Sequence, residues 1–187
     1  MTPTDTPPRL LILRHAPLAR PGLAGRRDVD ADCSNRAALD WAAGALRGAA
    51  TVWASPALRC RQTCAALALF PEYHPNLWEQ DFGAWEEPGA AIPDLGPLPV
   101  AELAAHRPPG GESFLDMCAR VQPQLAQAQT QGLGTVAIIA HAGTARAALA
   151  MAVGPAALSF SIAPLSLTIL ARSPGGWAIE AVNRVAP

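Results

Sequence analysis

Short apolar runs alternate along the chain with longer segments whose apolar residues recur at helical spacing. Residues 9–13 (RLLIL), 51–54 and 135–140 (TVAIIA) are short and apolar, which predicts three buried strands. Residues 34–46 are rich in Ala, and their apolar positions follow the helical period, which predicts a helix that ends before Gly48. The pattern therefore switches repeatedly between strand and helix.

The remaining helices and strands are predicted from caps, breakers and periodicity. Ser55-Pro56 is read as a cap followed by the first helical position, opening a helix to about Leu69. Ser113 is read as the cap of a helix that reaches about Gln131 and is kinked at Pro123. A strand is predicted at 76–78, a short helix at 100–105 and a longer helix at 142–151. Two last strands, at 167–171 and 177–182, are joined by a Ser-Pro-Gly-Gly turn.

This alternation predicts an α/β fold with three layers, in which helices cover both faces of a mostly parallel central sheet. The length of 187 residues fits one domain, which we place at residues 9–187. Residues 84–110 are rich in Pro and Gly and are expected to form a small cap. Residues 1–8 are polar and Pro-rich and are expected to be a disordered tail.

Composition and charge exclude several kinds of chemistry. Half of the residues are hydrophobic, which is enough for a substantial core and argues against a disordered chain. The formal net charge is −1, without the basic surplus of a general nucleic-acid binder. All 14 basic residues are Arg, so neither a Schiff-base lysine nor a P-loop lysine is available.

The cysteines and the N-terminal segment bear on metal binding and location. Cys33, Cys60, Cys64 and Cys118 lack metal-ligand spacing and are expected to be buried free thiols. Residues 1–8 lack the apolar stretch of a secretory signal, and no apolar run approaches the length of a membrane span. We therefore expect a soluble, cytoplasmic protein that binds neither membranes nor nucleic acid.

Polar side chains with chemical potential follow three of the predicted strands. Arg14 and His15 end the first strand, Ser55 and Arg59 follow the second, and His141 follows the third. Ligands of open α/β sheets bind beyond the carboxyl ends of the strands, so these groups are expected to meet in one crevice. Two arginines and two histidines without a nearby acidic run suit an anion such as a phosphoryl group. The other two histidines, at positions 74 and 106, are read as ordinary polar residues.

Five motifs in order resemble the histidine phosphatase superfamily, the phosphoglycerate-mutase-like enzymes, over about residues 9–183. They are Leu13-Arg14-His15, Ser55-Pro56-x-x-Arg59, Glu79-x-x-Phe82-Gly83-x-Trp85-Glu86, Gly110-Gly111-Glu112-Ser113 and His141-Ala142-Gly143. Each motif is weak alone, whereas five in the same order are a strong signal. The similarity is greatest to the alpha-ribazole phosphatase branch, through residues 25–28 (GRRD), 55–62 and 81–86. That branch implies a nucleotide-like phosphate ester and a place in cobalamin biosynthesis.

The sequence also departs from the family at several positions. Ala16 stands where the family usually has Gly, and Leu18 and Pro21 replace residues that contact phosphate in commoner members. The loop around residues 22–28 is about one residue shorter than the branch suggests. These departures spare the core residues and bear on the identity of the substrate.

The resemblance implies a role for each candidate residue. His15 is expected to be the nucleophile and Glu79 the proton donor, while Arg14, Arg59 and His141 hold the phosphate. A neutral imidazole can attack phosphorus without prior deprotonation, and arginine forks match equatorial phosphoryl oxygens. His141 is expected to donate if it is protonated. The candidate substrate-binding residues are Arg26, Trp78, Phe82 and Trp85. The three aromatic rings either line a leaving-group pocket or fill the small core of the cap, and Arg26 either meets the substrate or is a surface charge. No metal and no cofactor are expected.

Three functions remain open at this point, with a metal-independent phosphomonoesterase favoured. A mutase would need the site sealed from water, and the short segment between Gly83 and Gly110 offers little to seal it. An inactive phospholigand-binding module would have no use for Glu79. Glu86 is either a second acid or a solvated loop charge, and Glu112 and Ser113 either contact the site or cap a helix. The expected partner is a small phosphorylated metabolite, and a homodimer is left open.

Overall fold

The computed structural model describes residues 7–187, apart from the side chain of Gln129. Most of the predicted tail, residues 1–6, lies outside the described residues. The carbonyl oxygen of Pro8 accepts the backbone N–H of Arg172 at 3.0 Å, next to the first strand.

Strands and helices alternate along the first part of the chain, and two strands end it. The strands are β1 (Arg9–Arg14), β2 (Thr51–Ala54), β3 (Glu72–Tyr73), β4 (Val136–Ala140), β5 (Leu167–Ser173) and β6 (Gly176–Arg184). The helices are α1 (Arg36–Ala45), α2 (Leu58–Ala66), α3 (Val100–Ala105), α4 (Phe114–Thr130) and α5 (Ala142–Val153). Short 3-10 helices cover Pro75–Leu77, Gly83–Glu86 and Gly154–Ser159.

The strands form one mixed sheet in the order β3-β2-β4-β1-β5-β6. The neighbouring pairs from β3 to β1 are parallel. On the other side of β1, β5 pairs with β1 in the antiparallel direction, and β6 pairs with β5 in the same way. β1 and β4 lie side by side in the middle, with Leu11 opposite Ala137. The predicted α/β class with a mostly parallel sheet is therefore confirmed.

Side chains of β1 alternate between two cores because successive residues of a strand point to opposite faces. Leu10 and Ile12 pack in one core with α4 and α5. Leu11 and Leu13 pack in the other core with α1 and α2. All five residues of β4 are buried, as expected for a strand covered on both faces. The three-layer arrangement follows from these two cores.

Two sequence predictions about secondary structure are wrong. The strand expected at 76–78 is absent; the edge strand is β3, and Pro75–Leu77 is a 3-10 turn. Pro75 has no N–H with which to extend a ladder. The helix expected to open at Pro56 begins at Leu58, with Ala57 as its N-cap and no side-chain cap. The hydroxyl of Ser55 hydrogen-bonds to His141 instead.

Other helix signals agree with the structure. α3 covers the predicted residues 100–105, and the Ser113 hydroxyl accepts the N–H of Asp116 at 3.1 Å at the start of α4. α4 continues through Pro123, and the kink expected there stays a prediction.

The predictions about thiols and membrane spans can also be compared with the structure. Cys33, Cys60, Cys64 and Cys118 are free; the first is half-buried and the others are buried. Within residues 7–187, no helix combines the length and apolar character needed to cross a membrane.

Candidate active site

The site lies where three neighbouring parallel strands end. β4 lies between β1 and β2 in the sheet, so the residues that follow these strands meet at one edge. The rings of His15, after β1, and His141, after β4, have their centroids 5.3 Å apart. Ser55, after β2, places its hydroxyl oxygen 2.8 Å from Nε2 of His141. The convergence expected from the sequence is therefore present.

His15 is buried, and one ring nitrogen is already occupied. Its Nδ1 lies 2.6 Å from the carbonyl oxygen of Ala16, which can only accept a hydrogen bond. The proton therefore belongs on Nδ1, and Nε2 carries the lone pair. Burial, together with the charges of Arg59 and Arg14, lowers the pKa of His15 to about 3 despite the bond to Ala16. The imidazole is neutral near pH 7.

His141 is buried completely and is also neutral. Burial, and then the charge of Arg59 and neighbouring groups, lowers its pKa well below the usual value. Ser55 Oγ accepts the N–H of Ala57 at 3.3 Å, so its own proton is free to donate to Nε2 of His141. If Ser55 donates to Nε2, the ring proton lies on Nδ1, which is buried without a partner among the described residues. His141 was expected to donate if it is protonated, but burial keeps the ring neutral, so it has one ring proton rather than two.

The two arginines are held by backbone carbonyl groups. Arg14 Nη1 donates to the carbonyl of Ile162 at 2.6 Å. Arg59 is fully buried, and its terminal nitrogens donate to the carbonyls of Ala24, Gly25 and Arg27 at 2.8–3.2 Å. Burial lowers the pKa of both groups, but a guanidinium stays charged in proteins. Both positive charges are thus fixed near His15, and no carboxylate among residues 7–187 forms an ion pair with either of them.

The loop that receives Arg59 is shaped by Glu86. Both carboxylate oxygens accept backbone N–H groups, from Gly25, Arg26, Arg27 and Phe82, at 2.7–3.0 Å. Glu86 is 9% exposed, so the reading as a solvated loop charge is wrong. A Cβ on Gly25 would collide with the carbonyl oxygen of Gln80, so only glycine permits this close packing. Glu86 thus connects the Gly83–Glu86 turn to the cradle of Arg59.

Glu79 lies at the amino end of α5. Its two oxygens accept the N–H of Gly143 at 3.1 and 3.2 Å, and one of them also accepts the N–H of Gln80 at 3.0 Å. A Cβ at Gly143 would collide with a Glu79 oxygen and would lie 2.7 Å from the sulfur of Met117. The glycine of the His141-Ala142-Gly143 motif therefore makes room for this carboxylate.

A half-buried ion pair supports the segment that carries Glu79. Arg120 of α4 donates to the carbonyls of Asn76, Trp78 and Glu79 at 2.8 Å and binds both oxygens of Glu112. Burial raises the pKa of Glu112, but its bonds from Arg120 and the Asp81 N–H outweigh this and lower it overall. Glu112 therefore supports the site, and Ser113 caps α4.

A cavity of about 370 Å³ opens at these groups, and we name it the His15 cavity. Its charged and aromatic lining consists of Arg14, His15, Glu79, Phe82 and Arg146. Arg59 and His141 are not in its lining, but both lie close to His15, His141 through its ring and Arg59 through its charge. Arg146 also lines the cavity, and no sequence motif pointed to it.

The expected substrate-binding aromatics are divided by the structure. Phe82 lines the His15 cavity. Trp78 lies outside that lining, and the guanidinium carbons of Arg26 and Arg59 lie 5.7 and 5.9 Å from the centroid of its ring. Its ring also stacks near His141 at 6.4 Å. Trp85 stacks on His106 at 5.5 Å, beyond Phe82. Arg26 pairs with Glu112 at 3.5 Å.

The chemistry available here is anion binding beside a neutral imidazole. Within residues 7–187, no cluster of three or more His, Cys, Asp or Glu side chains is arranged to hold a metal. Arg14 and Glu79 line the cavity beside His15. The ring of His141 and the charge of Arg59 also lie close to His15. These groups match a tetrahedral phosphoryl group.

Comparison with protein families agrees with this geometry. The model of the histidine phosphatase superfamily (branch 1) matches residues 10–185, almost the whole chain. The chain belongs to the histidine phosphatase superfamily, branch 1. It is therefore a histidine phosphatase, in agreement with the resemblance carried by the five sequence motifs.

Solved structures show the same fold. Mycobacterial glucosyl-3-phosphoglycerate phosphatase Rv2419c is 23% identical, with a TM-score of 0.77 over 94% of this chain and 98% of its own. Its complex with inorganic phosphate gives 22% identity and a TM-score of 0.75, over 96% of this chain and 98% of its own. A variant of TTHB049 from Thermus thermophilus is 26% identical, with a TM-score of 0.69 over 91% of this chain and 96% of its own. No curated protein sequence matches this histidine phosphatase significantly.

Proposed function

We propose that this histidine phosphatase is a metal-independent phosphomonoesterase that works through a phosphohistidine at Nε2 of His15. The observation that carries the proposal is the hydrogen bond between Nδ1 of His15 and the carbonyl of Ala16. This bond fixes the tautomer, so the lone pair of Nε2 is available to a phosphorus atom. The lowered pKa keeps that lone pair free near pH 7.

In the first step, Nε2 attacks phosphorus in line with the ester oxygen. The N–P bond forms as the P–O bond breaks, and Glu79 acts as the general acid that delivers a proton to the leaving oxygen. Arg14 and Arg59 offset the charge on the equatorial oxygens, and Nδ1–H of His141 supplies a further donor. The Ala16 carbonyl stabilises the positive charge that develops on the His15 ring.

In the second step, water attacks the phosphohistidine from the side that the alcohol has left. The Glu79 carboxylate accepts a proton from this water as the new P–O bond forms and the N–P bond breaks. Inorganic phosphate leaves, and His15 returns to its neutral form with Glu79 protonated. The same carboxylic side chain thus serves both steps, which is supported by its position at the Gly143 N–H within the lining of the His15 cavity.

We prefer hydrolysis of the phosphohistidine to transfer of its phosphoryl group back to the substrate, as in a mutase, because the cap is small. Between Gly83 and Gly110 the chain forms the 3-10 helix Gly83–Glu86 and the six-residue helix α3, and otherwise turns and irregular backbone. A mutase must keep water from the phosphohistidine until the acceptor arrives. The placement of Glu79 in the cavity lining supports an active enzyme over an inactive binding module.

The substrate that we propose is alpha-ribazole 5′-phosphate or a similar small ester, which would place the enzyme in cobalamin biosynthesis. The support is the sequence similarity at residues 25–28, 55–62 and 81–86. The structure gives these segments a common setting, because Glu86 binds the 25–27 backbone and that loop holds Arg59. The aromatic wall at Phe82 is suited to a leaving group with a flat base.

We further propose that the enzyme acts in the cytoplasm on a free metabolite. Its four cysteines are free, and reduced thiols are usual in the cytosol. Whether the protein forms a homodimer stays open, and light scattering of the purified protein would decide it.

Phosphate release in EDTA tests the proposed activity. The protein is incubated with 4-nitrophenyl phosphate in EDTA, with and without 2,3-bisphosphoglycerate, and free phosphate is measured. Release that is independent of both additions is expected. Phosphate exchange that requires bisphosphoglycerate would instead identify a mutase, and absence of release would identify a binding module. Comparing kcat/KM for alpha-ribazole 5′-phosphate with sugar and nucleoside phosphates tests the substrate; equal or poorer use of it contradicts the branch assignment.

A further inference from the structure

A second cavity lies beside the His15 cavity, under the cap. Its volume is about 290 Å³, and we name it the cap cavity. Its walls are mostly apolar and include Phe82, Trp85, Leu103, Phe114 and Leu158. Trp85 stacks on His106 with 17° between the ring planes, so part of the wall is a pair of flat rings. Apolar walls with a few polar groups are typical of ligand pockets.

The cap cavity and the His15 cavity share two lining residues, Phe82 and Arg146. Each cavity alone is at the lower end of the range of about 300–1,000 Å³ for ligand pockets. A molecule whose phosphoryl group lies beside His15 can therefore extend past the shared residues into the cap cavity. Neither of the two proposed steps of phosphoryl transfer takes place in the cap cavity.

Arg146 stands at the boundary with its terminal nitrogens available. Its Nε donates to the carbonyl of Phe160 at 3.0 Å, which fixes the side chain. Among residues 7–187, no carboxylate forms an ion pair with it, and its terminal nitrogens are not among the buried unpaired atoms. The guanidinium can therefore donate to a polar group next to the ester oxygen.

We propose that the cap cavity binds the leaving group of the substrate, and that this leaving group carries a flat apolar ring. The ring packs among Phe82, Trp85 and Leu103, while Arg146 holds the hydroxyl-bearing part next to the phosphoryl group. This inference rests on the proposed phosphomonoesterase function and extends it to a substrate class. The cap segment thus selects the ester, and the strand ends perform the chemistry.

Two esters that differ only in a ring test the proposal on the unmodified enzyme. 2-Phenylethyl phosphate and ethyl phosphate both release an alkoxide, so the need for a proton at the leaving oxygen is shared. We expect kcat/KM to be about tenfold to a hundredfold higher for the phenylethyl ester, as burial of one aromatic ring provides. Equal kcat/KM for the two esters overturns the proposal while leaving the phosphatase function intact. Release of phosphate from neither ester, nor from 4-nitrophenyl phosphate, overturns both.

A pair of variants on α3 locates the ring. Leu103 lines the cap cavity and Val100 does not, yet both are 39% exposed. The Leu103→Trp variant fills the cavity, so the ratio of kcat/KM for the phenylethyl ester to that for ethyl phosphate falls to about one. Val100→Trp keeps the full preference. If Leu103→Trp keeps it too, or if both variants lose it equally, the ring does not bind in the cap cavity. Circular dichroism confirms that each variant folds; should Leu103→Trp not fold, the wild-type comparison still decides.

Discussion

At the scale of single residues, the protonation of His15 is set by one neighbouring carbonyl group. Ala16 follows His15 directly, and its oxygen accepts the Nδ1 proton at 2.6 Å. The sequence alone contains both residues but gives no sign of this contact, because every residue carries a carbonyl group. A charged residue or a second histidine can be recognised in a sequence, whereas a backbone acceptor cannot.

Replacing His15 with Ala should abolish turnover and leave the fold intact. The nucleophile is lost, so kcat should fall by about a thousandfold or more, whereas the ring contributes little that the neighbouring core depends on. Phosphate release and a circular dichroism melt measure the two effects. His74→Ala, at the edge of the sheet, is the matched control and should keep wild-type turnover. Retained activity in His15→Ala would rule out the nucleophile assignment.

Replacing Glu79 with Gln should slow poor leaving groups far more than good ones. An alkoxide requires a proton, whereas 4-nitrophenolate leaves without one, and general acid catalysis contributes about a hundredfold to ten-thousandfold. Measuring kcat with ethyl phosphate and 4-nitrophenyl phosphate in the same variant separates the two cases. Equal losses for both esters would mean that Glu79 only supports the backbone at Gly143 and Gln80.

At the scale of elements, strands were predicted where the chain is continuously apolar. β1, β2 and β4 are central strands, and burial on both faces gives them the unbroken apolar runs that were recognised. β3 has only two residues, both exposed, so no run of apolar residues announces it. The start of α2 was misplaced because Ser55 has the residue type of a cap but faces His141.

The hydrogen bonds of Glu86 to the backbone of residues 25–27 show why part of the site was not predicted. Glu86 is about 60 positions from the backbone N–H groups of Gly25, Arg26 and Arg27 that it binds. Such contacts depend on how the Gly83–Glu86 turn packs against the loop, and a sequence pattern records only local periodicity. The motif contained the residue, but its partners became visible only in three dimensions.

Replacing Glu86 with Gln should weaken catalysis through Arg59. The amide places N–H groups opposite backbone N–H donors, so the loop loses acceptors, and an unsatisfied buried donor costs about 1–3 kcal/mol of stability. We expect a lower Tm and a raised KM. The combined Glu86→Gln and Arg59→Gln variant should lose little more kcat/KM than Arg59→Gln alone, because both changes disrupt one unit. Glu87→Gln, on the exposed neighbour, should match wild type. Fully additive losses would show that Glu86 acts independently of Arg59.

At the scale of the whole molecule, the rule for strand ends located the site before any strand order was known. His15, Ser55 and His141 were expected to meet because parallel strands end at one edge. The order β2-β4-β1 explains their actual contacts, with His141 in the middle. Two buried neutral histidines lie at this edge, so the stability of the fold depends on the pH at which they would be protonated.

Stability should fall as the pH is lowered from 7 to 5.5. The pKa values of His15, about 3, and His141 lie below the unfolded value near 6.5, so in this range the unfolded chain binds protons that the folded chain does not. Each histidine should lower the unfolding free energy by about 1.4 kcal/mol per pH unit once the pH is below 6.5. Urea unfolding of wild type and His15→Asn measures this slope. The variant should have a smaller slope, the remainder coming from His141 and from the half-buried His74, whose pKa is also lowered by burial. An unchanged slope would contradict burial of His15 in the neutral form.

Trapping the phosphoenzyme during a single turnover shows directly whether His15 is the nucleophile. Enzyme and 4-nitrophenyl phosphate are mixed in EDTA, quenched in base, where phosphohistidine is stable, digested and examined by mass spectrometry and phosphorus NMR. We expect one phosphoryl group on His15, bound to Nε2, because Nδ1 is held by the Ala16 carbonyl. A phosphoryl group on Nδ1 of His15 or on His141, or turnover without any phosphohistidine, would contradict it.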